Sequence, residues 1–168
     1  MVVNESADME SVIVSGVTCD MNEARITLKR VPDQPGISAK IFSQLAKSEI
    51  SVDMIIQNTR SGGETDLTFT VTKDDFDRAR EISEKVAGEV GAEAVLTAED
   101  IAKVSVIGLG MKSHSGVAAT MFEALASENI NIRLISTSEI RISCVILAKY
   151  AELAVRTLHS AFGLDKES

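Results

Sequence analysis

The chain has 168 residues, 45% of them apolar and 25% charged, with 25 Asp and Glu against 17 Lys and Arg for a formal net charge of −8. This is globular composition, sufficient for one ordinary domain or two small ones, and its acidity argues against phosphate backbones and anionic membranes as partners, so neither nucleic acid nor membrane is expected. No apolar run approaches the roughly 20 residues that cross a bilayer, the polar leader 1–11 does not read as a signal peptide, and with no Trp and one Tyr the core has to be aliphatic.

In chain order, the first feature is an isolated apolar run, Val12-Ile13-Val14 with Gly16 and Val17, read as a strand over 11–18. Residues 24–28 alternate apolar and polar, a second strand. Asp33-Gln34-Pro35-Gly36 is turn chemistry, in which proline presets one backbone angle and glycine permits positive φ. Ile37, Ile41 and Leu45 then recur at helical spacing, with Lys40, Gln44 and Lys47 outside. Residues 50–56 are β-rich, and 65–71 alternate, with Leu67, Phe69 and Val71 on one face and Asp66, Thr68 and Thr70 on the other. Gly62-Gly63 is the turn between these two strands. Asp74 or Asp75 is expected to cap a helix carrying Phe76, Ala79, Ile82 and Val86, and a short strand over 94–96 follows. Further on, the pattern predicts a strand over 104–109, a helix over 115–127, strands over 131–136 and 140–147, and a helix over 149–162.

An 80-residue shift superimposes the two halves. Gly36 meets Gly116, Ala39 meets Ala119, Phe42 meets Phe122, Leu45 meets Leu125, Ile50 meets Ile130 and Ile55 meets Ile135. The chain therefore holds two copies of one supersecondary unit. The first reads β-α-β-β-α-β, a ferredoxin-like split unit whose antiparallel sheet carries both helices on one face, an α+β fold. The second lacks its last strand, which leaves an unpaired edge. The run at 11–18 is expected to fill that place, so that a first unit over 20–98 is inserted in a second over 101–165. The alternative is an N-terminal arm outside the fold.

The catalytic inventory is thin. His114 and His159 stand far apart, Cys19 and Cys144 read as free thiols, and no metal-ligand spacing or phosphate loop occurs. Gly108 and Gly110 follow a strand, but the third glycine of a dinucleotide turn would fall at Ser113; a strand end turning into a loop explains them more simply. His159 is assigned to the surface, and Met111 and Met121 to packing.

Two units opening with Val31-Pro32-Asp33-Gln34-Pro35-Gly36 and with Gly110-Met111-Lys112-Ser113-His114-Ser115-Gly116-Val117 resemble paired ACT domains. Asn129-Ile130-Asn131-Ile132 and the stretch from Ile135 to Ser143 resemble the regulatory region of aspartokinase, as do Val52-Asp53-Met54-Ile55-Ile56-Gln57-Asn58 and Thr65-Asp66-Leu67-Thr68-Phe69-Thr70. The resemblance covers roughly 11–165. It implies a non-catalytic, cytoplasmic regulatory module, made as a small subunit or cut as a fragment. Such a module has no cofactor, binds threonine and/or lysine, forms a homodimer through its ACT units and imposes feedback inhibition on an aspartokinase catalytic subunit or domain.

Carried over by position, the resemblance implies a threonine site at Asp33, Gly36, Ile37, Ser38 and Gln57, with Asn131 and Ile132 from a partner's second unit. Asp33 would meet the ligand ammonium, and the N–H groups heading the helix its carboxylate. Pseudo-symmetry implies a companion site at Met111, Ser113, Gly116 and Val117, with Val52 and Asp53 opposite and Ser138 and Glu139 near; Glu139 is a candidate for a lysine ammonium. Here Ser113 replaces Asp33, Thr137 replaces Gln57 and Arg133 replaces Asp53, so the two sites should differ in ligand. Two rival readings are the ACT pair of another amino-acid biosynthetic enzyme, which the Ile135 to Ser143 stretch opposes, and a stand-alone ferredoxin-like enzyme using His114, for which no titratable partner is visible.

Overall fold

The computed structural model describes residues 14–109 and 115–164. Among these residues six strands and four α-helices follow in the order β1 (Val14–Pro32), α1 (Ile37–Lys47), β2 (Ile55–Arg60), β3 (Glu64–Val71), α2 (Phe76–Val90), β4 (Ala94–Gly108), α3 (Ser115–Ser127), β5 (Leu134–Thr137), β6 (Arg141–Leu147) and α4 (Ala151–Ala161). They form two βαββαβ-like units with antiparallel strands, the tandem arrangement read from the repeat. One compact unit is Asn22–Glu99; the other joins Met1–Met21 to Asp100–Ser168. Both unit boundaries fall inside strands. The four short expected strands at 11–18, 24–28, 94–96 and 104–109 are two long ones, because no glycine or proline interrupts 17–31 or 92–107. Part of the expected run, Val12 and Ile13, lies outside the described residues.

In the unit Asn22–Glu99 the strand order is β2-β3-β1-β4. Ala24, Ile26 and Leu28 of β1 and Leu67, Phe69 and Val71 of β3 are buried in one layer with Ile41 and Leu45 of α1 and Phe76, Ala79 and Val86 of α2. Phe42 meets Phe69 edge to face, with ring centroids 5.5 Å apart. In the other unit the order is β1-β4-β6-β5. Its layer is Ala102, Val104 and Val106 with Ile142, Cys144 and Ile146, covered by Val117, Met121 and Leu125 of α3 and Ala154 and Leu158 of α4. Val14 of β1 belongs to this second core.

The repeat extends to backbone detail. Glu49 and Asn129, 80 residues apart, both take positive φ (59° and 62°) just past a helix end. Each is followed by a buried isoleucine, Ile50 or Ile130, whose N–H bonds the carbonyl of Leu45 or Leu125, a left-handed helix stop of the Schellman kind. Because the chain must cross from the helix layer to the sheet after this stop, β2 and β5 begin later than the sequence suggests, at Ile55 and Leu134. Before them, backbone bonds tether the approach: Asp53 N–H to Thr70 O and Thr70 N–H to Met54 O, both at 3.0 Å, ahead of β2, and Arg133 N–H to Val145 O at 2.7 Å ahead of β5. On the face away from the helices, Thr27 and Thr68 are cross-strand partners with hydroxyls 2.8 Å apart. Ser105 and Ser143 repeat that pair at 2.7 Å. Thr68 and Thr70 are both buried, so this face is not the solvated one that alternation suggests.

Two further local expectations are corrected. Asp75 occupies the N-cap position of α2, yet its carboxylate caps no backbone N–H; it accepts instead from the Arg78 guanidinium at 2.6 Å, a charge-assisted bond stronger than a neutral cap. His159 is half-buried on α4 rather than on open surface.

One irregularity breaks the β1–β3 ladder. Leu28 pairs with Leu67 but Val31 with Thr65, so Lys29 and Arg30 stand opposite Asp66 alone. This is a β-bulge, with Arg30 at φ 55°. Asp66 holds it: its Oδ1 accepts the Arg30 backbone N–H at 2.9 Å. The Arg60 guanidinium donates to both carboxylate oxygens, at 3.0 and 2.8 Å. Those Arg60 bonds, against the opposing effect of partial burial and with help from the Arg30 N–H, hold the Asp66 carboxyl below its ordinary range.

These contacts set three expectations. Phe69→Ala should cost about 3–5 kcal/mol in denaturant unfolding, since it empties the middle of a dry layer. Burial pushes the Cys144 thiol up to about 12, whereas Cys19 is exposed; a thiol reagent at neutral pH should titrate one cysteine in the native protein and two after unfolding. Asp66 is depressed in the fold, so its stabilisation is complete above the unfolded carboxylate value of about 4 and is lost as pH falls through its folded value. The gap in melting temperature between the wild type and Asp66→Asn should accordingly be widest near neutrality and close below about pH 4.

Candidate functional site

The segment from Pro32 into α1 is the best-defined candidate. Asp33 N–H donates to Gly63 O at 2.9 Å, which ties the loop to the β2–β3 turn. Gly36 occupies the N-cap position at φ 94° with no side-chain cap. A Cβ there would meet no atom within 4 Å, so glycine is required by backbone conformation and the space above it stays open. The Ile37 N–H is weakly engaged with Gln34 O, at 3.4 Å, and Gly36 O accepts the Lys40 N–H at 3.0 Å. Asp33 is exposed, and Ile37 and Ser38 are half-buried. An anionic side chain and a positively polarised helix start therefore lie within six residues, the pairing that receives an ammonium and a carboxylate.

The other expected residues of the first site are dispersed. Gln57 is exposed on the outer strand β2, opposite Leu67, with β3 between it and β1. It makes no side-chain hydrogen bond among the described residues. Asn131 is exposed, and Ile132 packs against the core of its own unit. Of the companion residues, Met111 and Ser113 lie outside the described residues, as does His114. Gly116 and Val117 are in the first turn of α3, but the Val117 side chain is 1% exposed and belongs to the core, so only its backbone can meet a ligand. Val52 is likewise a packing residue of its unit, and Asp53 is exposed beside it. Ser138 and Glu139 sit in the turn from β5 to β6, where the Ser138 N–H closes onto Arg141 O at 2.8 Å.

Sequence reasoning did not single out Asp66 with Arg60 and Arg30. Its signal was an acid on β3 diagonal to an arginine across a Gly-Gly hairpin, with Asn58 directly opposite Asp66 and Glu64 opposite Arg60. A cavity of about 710 Å³ in the unit containing α4 is lined by Cys19, Met21, Lys149, Glu152, Val155 and Arg156 among others, and by none of the expected effector residues. Among the described residues no cluster of His, Cys, Asp and Glu could hold a metal, and no helix is long and apolar enough to cross a membrane.

Comparison with known proteins places this geometry. The ACT domain family matches residues 29–85 and 104–162. Aspartate kinase of Pseudomonas putida is 50% identical over 163 residues, which are 97% of this chain and 40% of that protein. The chain thus spans about 40% of the length of such relatives, and the match is to their regulatory ACT portion, with no counterpart of their catalytic portion. The ligand-free regulatory subunit of aspartate kinase from Thermus thermophilus superimposes with a TM-score of 0.85 at 48% identity, covering 89% of this chain and 99% of that one. E. coli aspartokinase III in complex with lysine and aspartate, in its T-state, gives 0.66 at 25% identity, covering 89% of this chain and 33% of that one. The chain belongs to the ACT domain family and matches the tandem-ACT regulatory region of aspartokinase.

Proposed function

We propose that this module binds threonine and/or lysine as a homodimer and transmits that binding to an aspartokinase catalytic subunit or domain in the cytoplasm. The broader role, a regulatory amino-acid-binding ACT module of aspartokinase-type feedback, follows from the family. The observation that carries the finer reading is the 33–38 junction, where Asp33 and the uncapped start of α1 match the two charges of a free amino acid. Lysine is named, together with aspartate, in the complex of the E. coli relative. Threonine rests on the positional resemblance of Asp33, Gly36, Ile37, Ser38 and Gln57, with Asn131 and Ile132 supplied by a second copy. Glu139, exposed at the β5–β6 turn, is the candidate partner for a lysine ammonium, in a companion site with Met111, Ser113, Gly116, Val117, Val52, Asp53 and Ser138.

Dimerisation is supported by the outer strands. β2 and β5 are outermost in their units and expose Ile55 and Ile135, which are 56% and 45% accessible and occupy matching places in the repeat. An unpaired strand edge carrying an exposed isoleucine favours pairing with a second chain.

Calorimetry with each amino acid tests the reading. Threonine or lysine should bind with favourable heat and raise the melting temperature, because a ligand held only by the native state stabilises it. Asp33→Ala should weaken threonine binding by about tenfold or more, the cost of one unmet charge contact near 1.4 kcal/mol or above. Sedimentation should show a dimer tightened by the effector. A monomer insensitive to both amino acids, or a shift produced only by aspartate or methionine, would overturn the assignment.

A further inference from the structure

The strongest asymmetry between the two units lies beside the candidate loop and outside it. In both units a fully buried aliphatic pair marks the same place on the two inner strands: Leu28 with Leu67, and Val106 with Ile142. One step towards the loop the units diverge. In the first, Asp66 faces the bulged Lys29-Arg30 pair; in the second, Arg141 faces Ile107 in unbroken register, and the next bond runs from Gly108 N–H to Ile140 O at 2.9 Å. Among the described residues, the bulge and its acid exist in the first unit alone.

We propose that Asp66 is the positioning residue of the 33–38 loop, holding the Arg30 bulge to the Arg60 end of β2 and so fixing where β1 delivers Asp33 and Gly36. This rests on the reading of that loop as an amino-acid site.

A bulge bends and twists its strand and re-aims the residues beyond it. This one stores strain, because arginine at positive φ is disfavoured by its Cβ. It persists only if its neighbours impose it, and the Arg30 N–H, displaced from the ladder, finds its acceptor in the Asp66 side chain. The same carboxylate receives Arg60 in a two-bond fork, which has geometric preference as well as strength. Arg60 pairs with Glu64 at the mouth of the hairpin, and the hairpin's Gly63 carbonyl accepts the Asp33 N–H. The Arg30 side chain is engaged separately, with Glu93 at 3.0 Å. One carboxylate thus restrains both ends of the path to the loop: the bulge where the chain enters it and the hairpin on which it rests. A binding loop restrained before its ligand arrives loses less freedom on binding.

The test uses the full chain with Asp66→Ala, Asp66→Asn and a control, Phe76→Leu, which loosens the core under α2 in the same unit without touching bulge or loop. Two quantities are read: the dissociation constants for threonine and lysine, and the backbone amide chemical shifts of residues 33–38 without ligand. Asp66→Ala should weaken the amino acid that binds by tenfold or more and Asp66→Asn by about threefold, while Phe76→Leu stays within twofold despite an equal or larger loss of melting temperature. The ligand-free shifts of residues 33–38 should move in both Asp66 variants and stay in place in the control. An unchanged affinity in Asp66→Ala, or shifts confined to residues 28–32 and 60–66, overturns the proposal. If Asp66→Ala does not fold, Asp66→Asn decides by the same two readings. If the wild type binds neither amino acid, the functional reading fails, and the ligand-free shifts still decide whether Asp66 sets the loop.

Discussion

The alternation of the two inner strands, β1 and β4, governs the rest of the structure. In each unit one of them lays three consecutive inward positions, Ala24, Ile26 and Leu28 or Ala102, Val104 and Val106, flat against two helices, all with 0% exposure. The intervening positions carry the hydroxyls of Thr27 and Ser105, each hydrogen-bonded to a hydroxyl on the neighbouring strand. A slip of one residue would drive those hydroxyls into the aliphatic layer and turn the isoleucines, leucines and valines out of it. Each buried aliphatic side chain is worth about 1.5–3 kcal/mol. A hydroxyl left without its partner would add a further penalty of about 1–3 kcal/mol. Register is therefore specified from both faces, and everything that depends on it, including the places where strands run out into loops, is fixed to one residue.

That constraint explains which features could be read from the residues. The repeat is legible because most of its identities fall in a helix and the turns on either side of it, where spacing and composition carry the structure. The lengths of β1 and β4 are not, since the apolar runs at 12–17 and 24–28 are parted by polar residues that read as a connection: Thr18, Asp20, Asn22 and Glu23. Only the missing glycine or proline signalled continuity. The late starts of β2 and β5 depend on the left-handed residues Glu49 and Asn129; asparagine adopts positive φ more readily than most residues, but glutamate gives no such signal. Asp75 stood where a cap belongs, but Arg78 one turn on competes for its carboxylate, a contest that propensity does not weigh. At the site, Asp33-Gln34-Pro35-Gly36 was readable because proline and glycine have fixed backbone meanings. Gln57 rests on resemblance, because its place on the outer strand β2 follows from sheet order and not from local spacing. Asp66 was invisible as a positioning group because its role comes from a one-residue register shift.

The repeat is a repeat of architecture and not of charge. Aliphatic positions, the left-handed helix stops, the hydroxyl pair and a backbone tether before each outer strand occur twice. Asp33, Asp53 and Asp66 do not: their counterparts are Ser113, Arg133 and Arg141. Three acids replaced by a serine and two arginines reverse the electrostatic character around corresponding loops while the packing beneath stays the same. Positions that fill the aliphatic layer tolerate little change in volume, whereas charged positions at the loops and strand ends can change without altering that volume and are free to diverge.

Divergence of this kind has a thermodynamic consequence for a regulatory module. A ligand shifts an equilibrium between two arrangements only by the difference in its affinity for them, and couplings between sites are typically about 1–3 kcal/mol. That is the scale of making or breaking one or two charged hydrogen bonds, and small compared with the aliphatic layers, whose combined burial far exceeds it. A module built this way can exchange charged bonds at its loops without repacking either core. The first unit concentrates such bonds at the joint between strand and loop, with Asp66, Arg60, the Arg30 N–H and Glu93 in one connected set. At the matching joint in the second unit the bonds are uncharged: Gly108 N–H to Ile140 O at 2.9 Å, the Ser15 hydroxyl to Ile107 O at 3.2 Å and the Ser138 hydroxyl to Arg141 O at 3.5 Å. In the reading proposed above, a displacement of Asp33 acts on this set of directional charged bonds, while the aliphatic cores below need not repack. The two units share a fold because their aliphatic layers are constrained alike, and they can respond differently because the polar bonds that distinguish them lie outside those layers.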